Sequence, residues 1–279
     1  MSYRTIVVHM SDEARAEGLL DVAIAMARRN QAQLIGIAVL PPPIIVALGL
    51  PDAPAPVLLE DYRRAYINEC QRMHVLFQQR TASEGIEAHW QLDDAWATTI
   101  AGKVLETACT ADLVVAGQAD RNAPGSGQLD IADHLIIESG RPVVVVPKLL
   151  RSTTVGRRVL LAWNGRREAA RVIFDALDLL QSAEEVKIVA INDEGGAAAK
   201  VSIERICAAL KRHGVNCMVA EHDLQSSDVG QELLRCVARN SSDLLVMGCY
   251  GHSRLREFVF GGATRYVLKH MTVPVLMAH

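Results

Sequence analysis

The 279-residue chain has no uninterrupted apolar run of bilayer length, no cluster of basic residues and no cysteine pair at ligand spacing. Each absence closes a class of function. A membrane-spanning helix is not expected. The most apolar segment, "PPPIIVALGLPDAPAPVLL", is broken by prolines that disfavour a continuous helix. Net charge is −3, with 29 Lys+Arg against 32 Asp+Glu, so no broad nucleic-acid or anionic-membrane surface is expected. The six cysteines, Cys70, Cys109, Cys207, Cys217, Cys236 and Cys249, include no CxxC and no His/Cys set with zinc spacing. They read as reduced, mostly buried thiols of a cytoplasmic protein, with no metal site expected. The opening "MSYRTIVVHMSD" enters a strand without a charged region and long apolar stretch before it, so no signal peptide is expected. There is no GxSxG nucleophile elbow. No GxGxxG follows the first strand of either repeat, which argues against a dinucleotide dehydrogenase.

What the chain does contain is itself, twice. "RTIVVHMSD" followed by the helical "EARAEGLLDVAIAMARRN" parallels "RRVLLAWNG" followed by "RREAARVIFDALDLLQ". The buried strands "AQLIGIAVL" and "EVKIVAIND" correspond. "TIAGKVLETACTADLVVAGQ" parallels "DVGQELLRCVARNSSDLLVMGC", and "SGRPVVVVP" parallels "MTVPVLMAH". Asp112 aligns with Asp243, Gly117 with Gly248, and Pro142 with Pro274 after a one-residue slip. The joint is "KLLRSTTVG", which divides the chain into domains of residues 1–150 and 151–279. Strand and helix alternate in each, and the strands are near-continuous apolar runs. That predicts a parallel α/β sheet covered by helices on both faces. Ligands of such sheets bind beyond the carboxyl ends of the strands, at a topological switch point.

Such a strand, "DLLVMG", opens a glycine loop. Gly248 ends it, and Gly251, Gly261 and Gly262 follow before the helical "ATRYVLKHM". Glycine lets backbone N–H groups approach a polyphosphate, and a helix N-terminus adds unpaired donors. The loop has no lysine, so it is not a Walker P-loop. Turn-making is the alternative use of the same glycines. Asn164, in the turn after the first strand of this half, could reach a ribose or base edge, or form a plain Asx turn.

The spacing G-x2-G-x9-G after "DLLVMG", with "LLAWNGRREAAR" and "TVPVLMAH", resembles the ATP-binding signature of the universal stress proteins. The resemblance covers essentially the whole chain, twice, in the manner of the tandem subclass. It implies two Rossmann-like domains, each a five-stranded parallel sheet with helices on both faces, and a stress-response or regulatory role. It implies ATP, ADP or AMP as ligand, with or without Mg2+. The matching positions are Asn164 near ribose or base, Ile191 and Met247 around the adenine, and Gly248, Tyr250, Gly251, Gly261 and Gly262 along ribose and phosphates, with Ala263 and Thr264 opening the helix. Two positions depart from the family. Gly262 stands where Ser or Thr is usual, at a cost of about 0.5–1.5 kcal/mol for one hydrogen bond, which Thr264 would partly restore. Asn164 stands where Asp is frequent. The resemblance also implies that "PVVVVP" and "VPVLM" pair as an intramolecular pseudo-dimer, with homodimerisation of whole chains expected beyond it.

The first copy reads as degenerate. Asp120 occupies the position of Gly251, and Asp130 that of Gly261, without a gap. A like-charge pair at about 4 Å costs roughly 1 kcal/mol in water and about 4 at an effective dielectric of 20. Asp130 also suits a helix cap for "IADHLIIES". His9 could line the N-terminal pocket, and His252, Arg254 and Arg256 could reach phosphate. An alternative reading is a slow ATP hydrolase, for which only Glu257 and Asp193 are at hand. Another is an interaction module acting through the apolar insertion near Pro41 to Val57.

Overall fold

The computed structural model describes residues 3–42, 55–96, 98–119, 131–150, 154–190, 197–220, 228–249 and 262–279. In the first half, β1 (Thr5–His9), α1 (Glu13–Asn30), β2 (Gln33–Leu40), α2 (Ala55–Ser83), β3 (Ala88–Asp94), α3 (Ile100–Ala108), β4 (Leu113–Gly117), α4 (Ile131–Glu138) and β5 (Val143–Val146) alternate. The second half runs β6 (Arg158–Ala162), α5 (Arg167–Asp175), α6 (Leu177–Gln181), β7 (Glu185–Val189), α7 (Ala197–Arg212), β8 (Cys217–Val219), α8 (Val229–Arg239), β9 (Leu244–Gly248), α9 (Gly262–His270) and β10 (Val275–Ala278).

The ten strands form one sheet in the order β3-β2-β1-β4-β5-β10-β9-β6-β7-β8. Every neighbouring pair is parallel except β5 and β10, which run antiparallel with Val144 opposite Leu276. Period-2 alternation divides each strand between two apolar layers. Ile6 and Val8 belong to the layer that also holds core residues of α1, α2, α5, α6 and α7, while Val7 belongs to the layer of α3, α4, α8 and α9. Both layers run through the β5–β10 seam, since Val144 and Leu276 join the first, and Val145 and Val275 the second.

The repeat extends to side-chain detail. The Asp112 carboxylate accepts from the amides of Arg4 (2.7 Å) and Thr5 (3.0 Å). Asp243 accepts from those of Arg157 (3.2 Å) and Arg158 (3.0 Å). In each half this aspartate ties the start of the first strand to the start of the fourth. Hydrogen bonds also join the halves: the Gln118 amide donates to the Leu268 carbonyl at 2.8 Å, and Arg29 to that of Val155 at 3.2 Å.

Two local features differ from the sequence pattern. The segment "RREAARVIFDALDLLQ", continuous by periodicity, breaks at Ala176 into α5 and α6. Here the Tyr3 hydroxyl donates to the Asp175 carbonyl at 2.7 Å, taking an acceptor that an unbroken helix would use. The edge strands β3 and β8 are short or half-exposed and carry no apolar run. Among the described residues, no helix is long and apolar enough to cross a membrane.

Candidate functional site

In each half the first strand lies between the second and the fourth, so the chain leaves it in opposite directions at its carboxyl end. In the second half that switch point lies between β6 and β9. Past β6, the Trp163 amide donates to the Val189 carbonyl at 2.8 Å, and its indole N–H donates to Ser202 Oγ at 2.9 Å. The Asn164 Oδ1 accepts from the Arg166 amide at 3.0 Å, forming an Asx turn. Gly165 follows with φ +73°, a left-handed conformation that favours glycine. Asn164 is exposed, so its turn-making role leaves the side chain at the surface of the switch point.

Past β9, Gly248 is needed for packing. A Cβ there would lie 2.4 Å from the Ala169 nitrogen and 2.5 Å from the Glu168 carbonyl carbon. The first turn of α5 thus rests directly on the end of the strand. Gly262 differs, because a Cβ added there would meet nothing within 4 Å. It is exposed at the N-terminus of α9, whose first turn has no acidic residue. Met247 is buried in the core, and Ala263 is half-buried. Thr264 is 4% exposed, so its side chain faces the protein interior rather than the open end of the helix. Ile191, Tyr250, Gly251 and Gly261 lie outside the described residues, as do Asp193, His252, Arg254, Arg256 and Glu257.

The strand registers pair Ile6 with Leu113 and Val159 with Leu244. The second half has one more residue between first strand and helix, so, counted from the caps Asp12 and Arg166, Arg15 of α1 corresponds to Ala169 of α5. Arg15 bridges the segments that follow β1 and β4 at the N-terminal switch point. Its guanidinium donates to Asp12 Oδ2 (2.6 Å), to the Gln118 carbonyl (2.6 Å) and to Ser11 Oγ (3.2 Å). Asp12 also caps α1 by accepting from the Arg15 amide at 3.0 Å. The sequence reading did not single out Arg15, which is one more basic residue in an amphipathic helix. His9, beside it, is 3% exposed and so lines no open pocket. Burial, and then the charge of Arg15, push its imidazole down to about 4. Glu168 is 3% exposed. Burial raises its carboxyl, but the Arg167 hydrogen bond, its own backbone N–H and the charges of Arg167 and His279 outweigh that and hold it below the usual range.

Asp120 and Asp130 lie outside the described residues. Among the described residues, no group of three or more His, Cys, Asp or Glu could hold a metal ion.

Residues 156–279 match the model of the universal stress protein family. This segment is therefore similar to the universal stress proteins. All ten positions expected to line a nucleotide fall within it. Over 172 residues the chain is 29% identical to the universal stress protein Slr1230 of Synechocystis sp., covering 59% of this chain and 57% of that protein. The match therefore spans little more than half the length of that relative. A universal stress protein of Archaeoglobus fulgidus superimposes with a TM-score of 0.70 at 14% identity, over 98% of this chain and 95% of that one. A candidate universal stress protein of Pseudomonas aeruginosa gives 0.61 at 14% identity, over 99% and 93%. These likenesses extend the fold, though not the function, of the universal stress protein domain to both halves.

Proposed function

We propose that the chain is a tandem of two universal stress protein domains, residues 1–150 and 151–279, that binds one adenine nucleotide in the second and acts as a binding and regulatory protein in a stress response. The observation that carries this reading is the convergence at the β6–β9 switch point. The Asn164 turn leaves one strand there, and the G-x2-G-x9-G segment leaves its neighbour. ATP is the nucleotide proposed, as the family motif implies.

The residues present fit such a ligand. Glycine weakens a helix, and nothing among the described residues requires it at position 262; a phosphate near that backbone would. The first N–H groups of α9 have no partner within the helix, and its first turn has no carboxylate. In the first domain, the first turn of α4 carries Asp133, and the Arg15 network spans the switch point. With Asp120 and Asp130 replacing two loop glycines, that domain is proposed not to bind nucleotide in this manner.

Protein purified without added nucleotide would be denatured and its supernatant run on anion exchange. The stripped protein would then be titrated with Mg-ATP by calorimetry. One ATP per chain, lost in Gly251→Asp, is expected. Two equivalent sites would overturn the assignment to one domain. No binding up to millimolar ATP would overturn the nucleotide reading.

A further inference from the structure

Cys207 and Cys217 lie outside the strand ends described above. The first is on α7 and the second opens the edge strand β8. Their sulfurs are 2.9 Å apart, and both cysteines are free. Non-bonded heavy atoms settle at about 3.5–4.0 Å, and a disulfide joins sulfurs at about 2.0 Å. The turn between them is fixed by backbone bonds. The amides of His213 (2.9 Å) and Val215 (3.0 Å) donate to the Leu210 carbonyl, and that of Gly214 to Lys211 (3.0 Å). Gly214 takes φ +78°, so the chain reverses directly after the helix. Both cysteines are half-buried, and hence within reach of a small oxidant. Cys70, Cys236 and Cys249 are buried, and Cys109 is exposed without another cysteine against it among the described residues.

We propose that Cys207 and Cys217 form a reversible intramolecular disulfide when the protein meets a peroxide. Cys217 donates its S–H toward Cys207. Burial, followed by this hydrogen bond and the neighbouring charge, pushes the Cys217 thiol up to about 12. Cys207, the sulfur that receives this hydrogen bond, is taken as the attacking one. Its thiolate displaces hydroxide from hydrogen peroxide, breaking the O–O bond and leaving a sulfenic acid. Cys217, losing its proton, then attacks the Cys207 sulfur. The S–S bond forms, the S–O bond breaks, and the hydroxide leaves with that proton as water. In sum, two thiols and one peroxide give one disulfide and two waters, with two electrons passing from sulfur to oxygen. The bond would staple β8, where Met218 and Val219 are exposed, to the helix whose Ser202 holds Trp163. The proposal does not depend on nucleotide binding.

The test uses the full chain, reduced, desalted, treated with hydrogen peroxide, alkylated and digested with trypsin. Cleavage after Arg205, Lys211, Arg212 and Arg235 separates the two cysteines. The expected product is the peptide 206–211 linked to 213–235, lighter than the sum of the two by two hydrogens and dissociated by dithiothreitol. Free thiols fall from six to four, and reduced glutathione restores them. Cys207→Ser and Cys217→Ser should each abolish the linkage, with far-UV circular dichroism checking the fold. An unchanged thiol count in the wild-type protein would overturn the proposal. So would sulfinic acid at Cys207 without the linked pair, or oxidation confined to dimers through Cys109.

Discussion

His9 ends β1 with 3% of its surface exposed, and its folded pKa is about 4 against an ordinary 6.5. Burial disfavours the imidazolium first, the nearby Arg15 charge adds to this, and Asp12 opposes both. Above pH 6.5 the ring is neutral in the folded and unfolded chain alike, and it contributes no pH dependence. Between 6.5 and 4 the unfolded chain takes up a proton that the folded chain refuses. The unfolded state then binds more protons, so stability falls as pH falls. The depression of pKa corresponds to about 3 kcal/mol in all, complete near pH 4, of which about 2 kcal/mol is lost between pH 7 and pH 5.

The assay is urea unfolding of the wild-type protein and His9→Gln near pH 7 and near pH 5. The carboxylates that begin to titrate at the acid end are common to both proteins and cancel in the comparison. The variant should start less stable, because a packed side chain has been replaced. It should then lose about 2 kcal/mol less than the wild type on acidification. In the wild type, the His9 ring resonances should not titrate between pH 7 and pH 5. Equal losses in the two proteins, or an imidazole titrating near 6.5, would refute the reasoning.

The glycines at the two ends of the candidate loop should respond in opposite ways. Gly248→Ala drives a Cβ into the α5 backbone and should cost about 1–3 kcal/mol or more, read as a fall in urea midpoint. Gly262→Ala meets open space and should be neutral or up to about 1 kcal/mol stabilising, so a loss of ATP affinity in a fully folded Gly262→Ala would isolate a ligand effect. Gln118→Leu removes a buried amide that donates to the last carbonyls of α9 and accepts from the Lys148 amide at 2.9 Å. It should cost about 1–3 kcal/mol of stability in the same assay. Tyr3→Phe deletes the bond to the Asp175 carbonyl and should cost about 1 kcal/mol.

The strands that the sequence displayed are those buried on both faces. β1, β4, β5 and their counterparts read as unbroken Val, Ile and Leu because helices cover both sides. The edge strands pair on one side only. β3, "AHWQLDD", is half-exposed and carries His89, Trp90, Gln91, Asp93 and Asp94, which water tolerates, while β8 is three residues long. Neither needs an apolar run, so neither announces itself. At the site, the Asn164 turn was legible because an Asx turn is local chemistry. The reason for Gly248 was not, since it depends on the α5 backbone about 80 residues earlier in the chain. Arg15 was hidden for the same reason: its partner Gln118 is distant in sequence and offers a backbone carbonyl, which no side-chain motif encodes.

The two halves keep the same scaffold because its determinants lie away from the strand ends. Asp112 and Asp243 anchor the strand starts, and alternating apolar residues fill both layers. Residues past the carboxyl ends can therefore differ between the halves at little cost to the fold, as Arg15 of α1 and Ala169 at the same place in α5 illustrate. That freedom is soon lost once a new network forms. Arg15 now neutralises Asp12, which caps α1, and it satisfies the carbonyl of Gln118, whose side chain in turn caps α9. Removing the guanidinium would leave a carboxylate without its partner and a carbonyl without its donor, each costing about 1–3 kcal/mol. It would also leave Asp120 and Asp130 in the loop. The Arg15 network is thus part of what holds the two halves together, through the Gln118 side chain on α9.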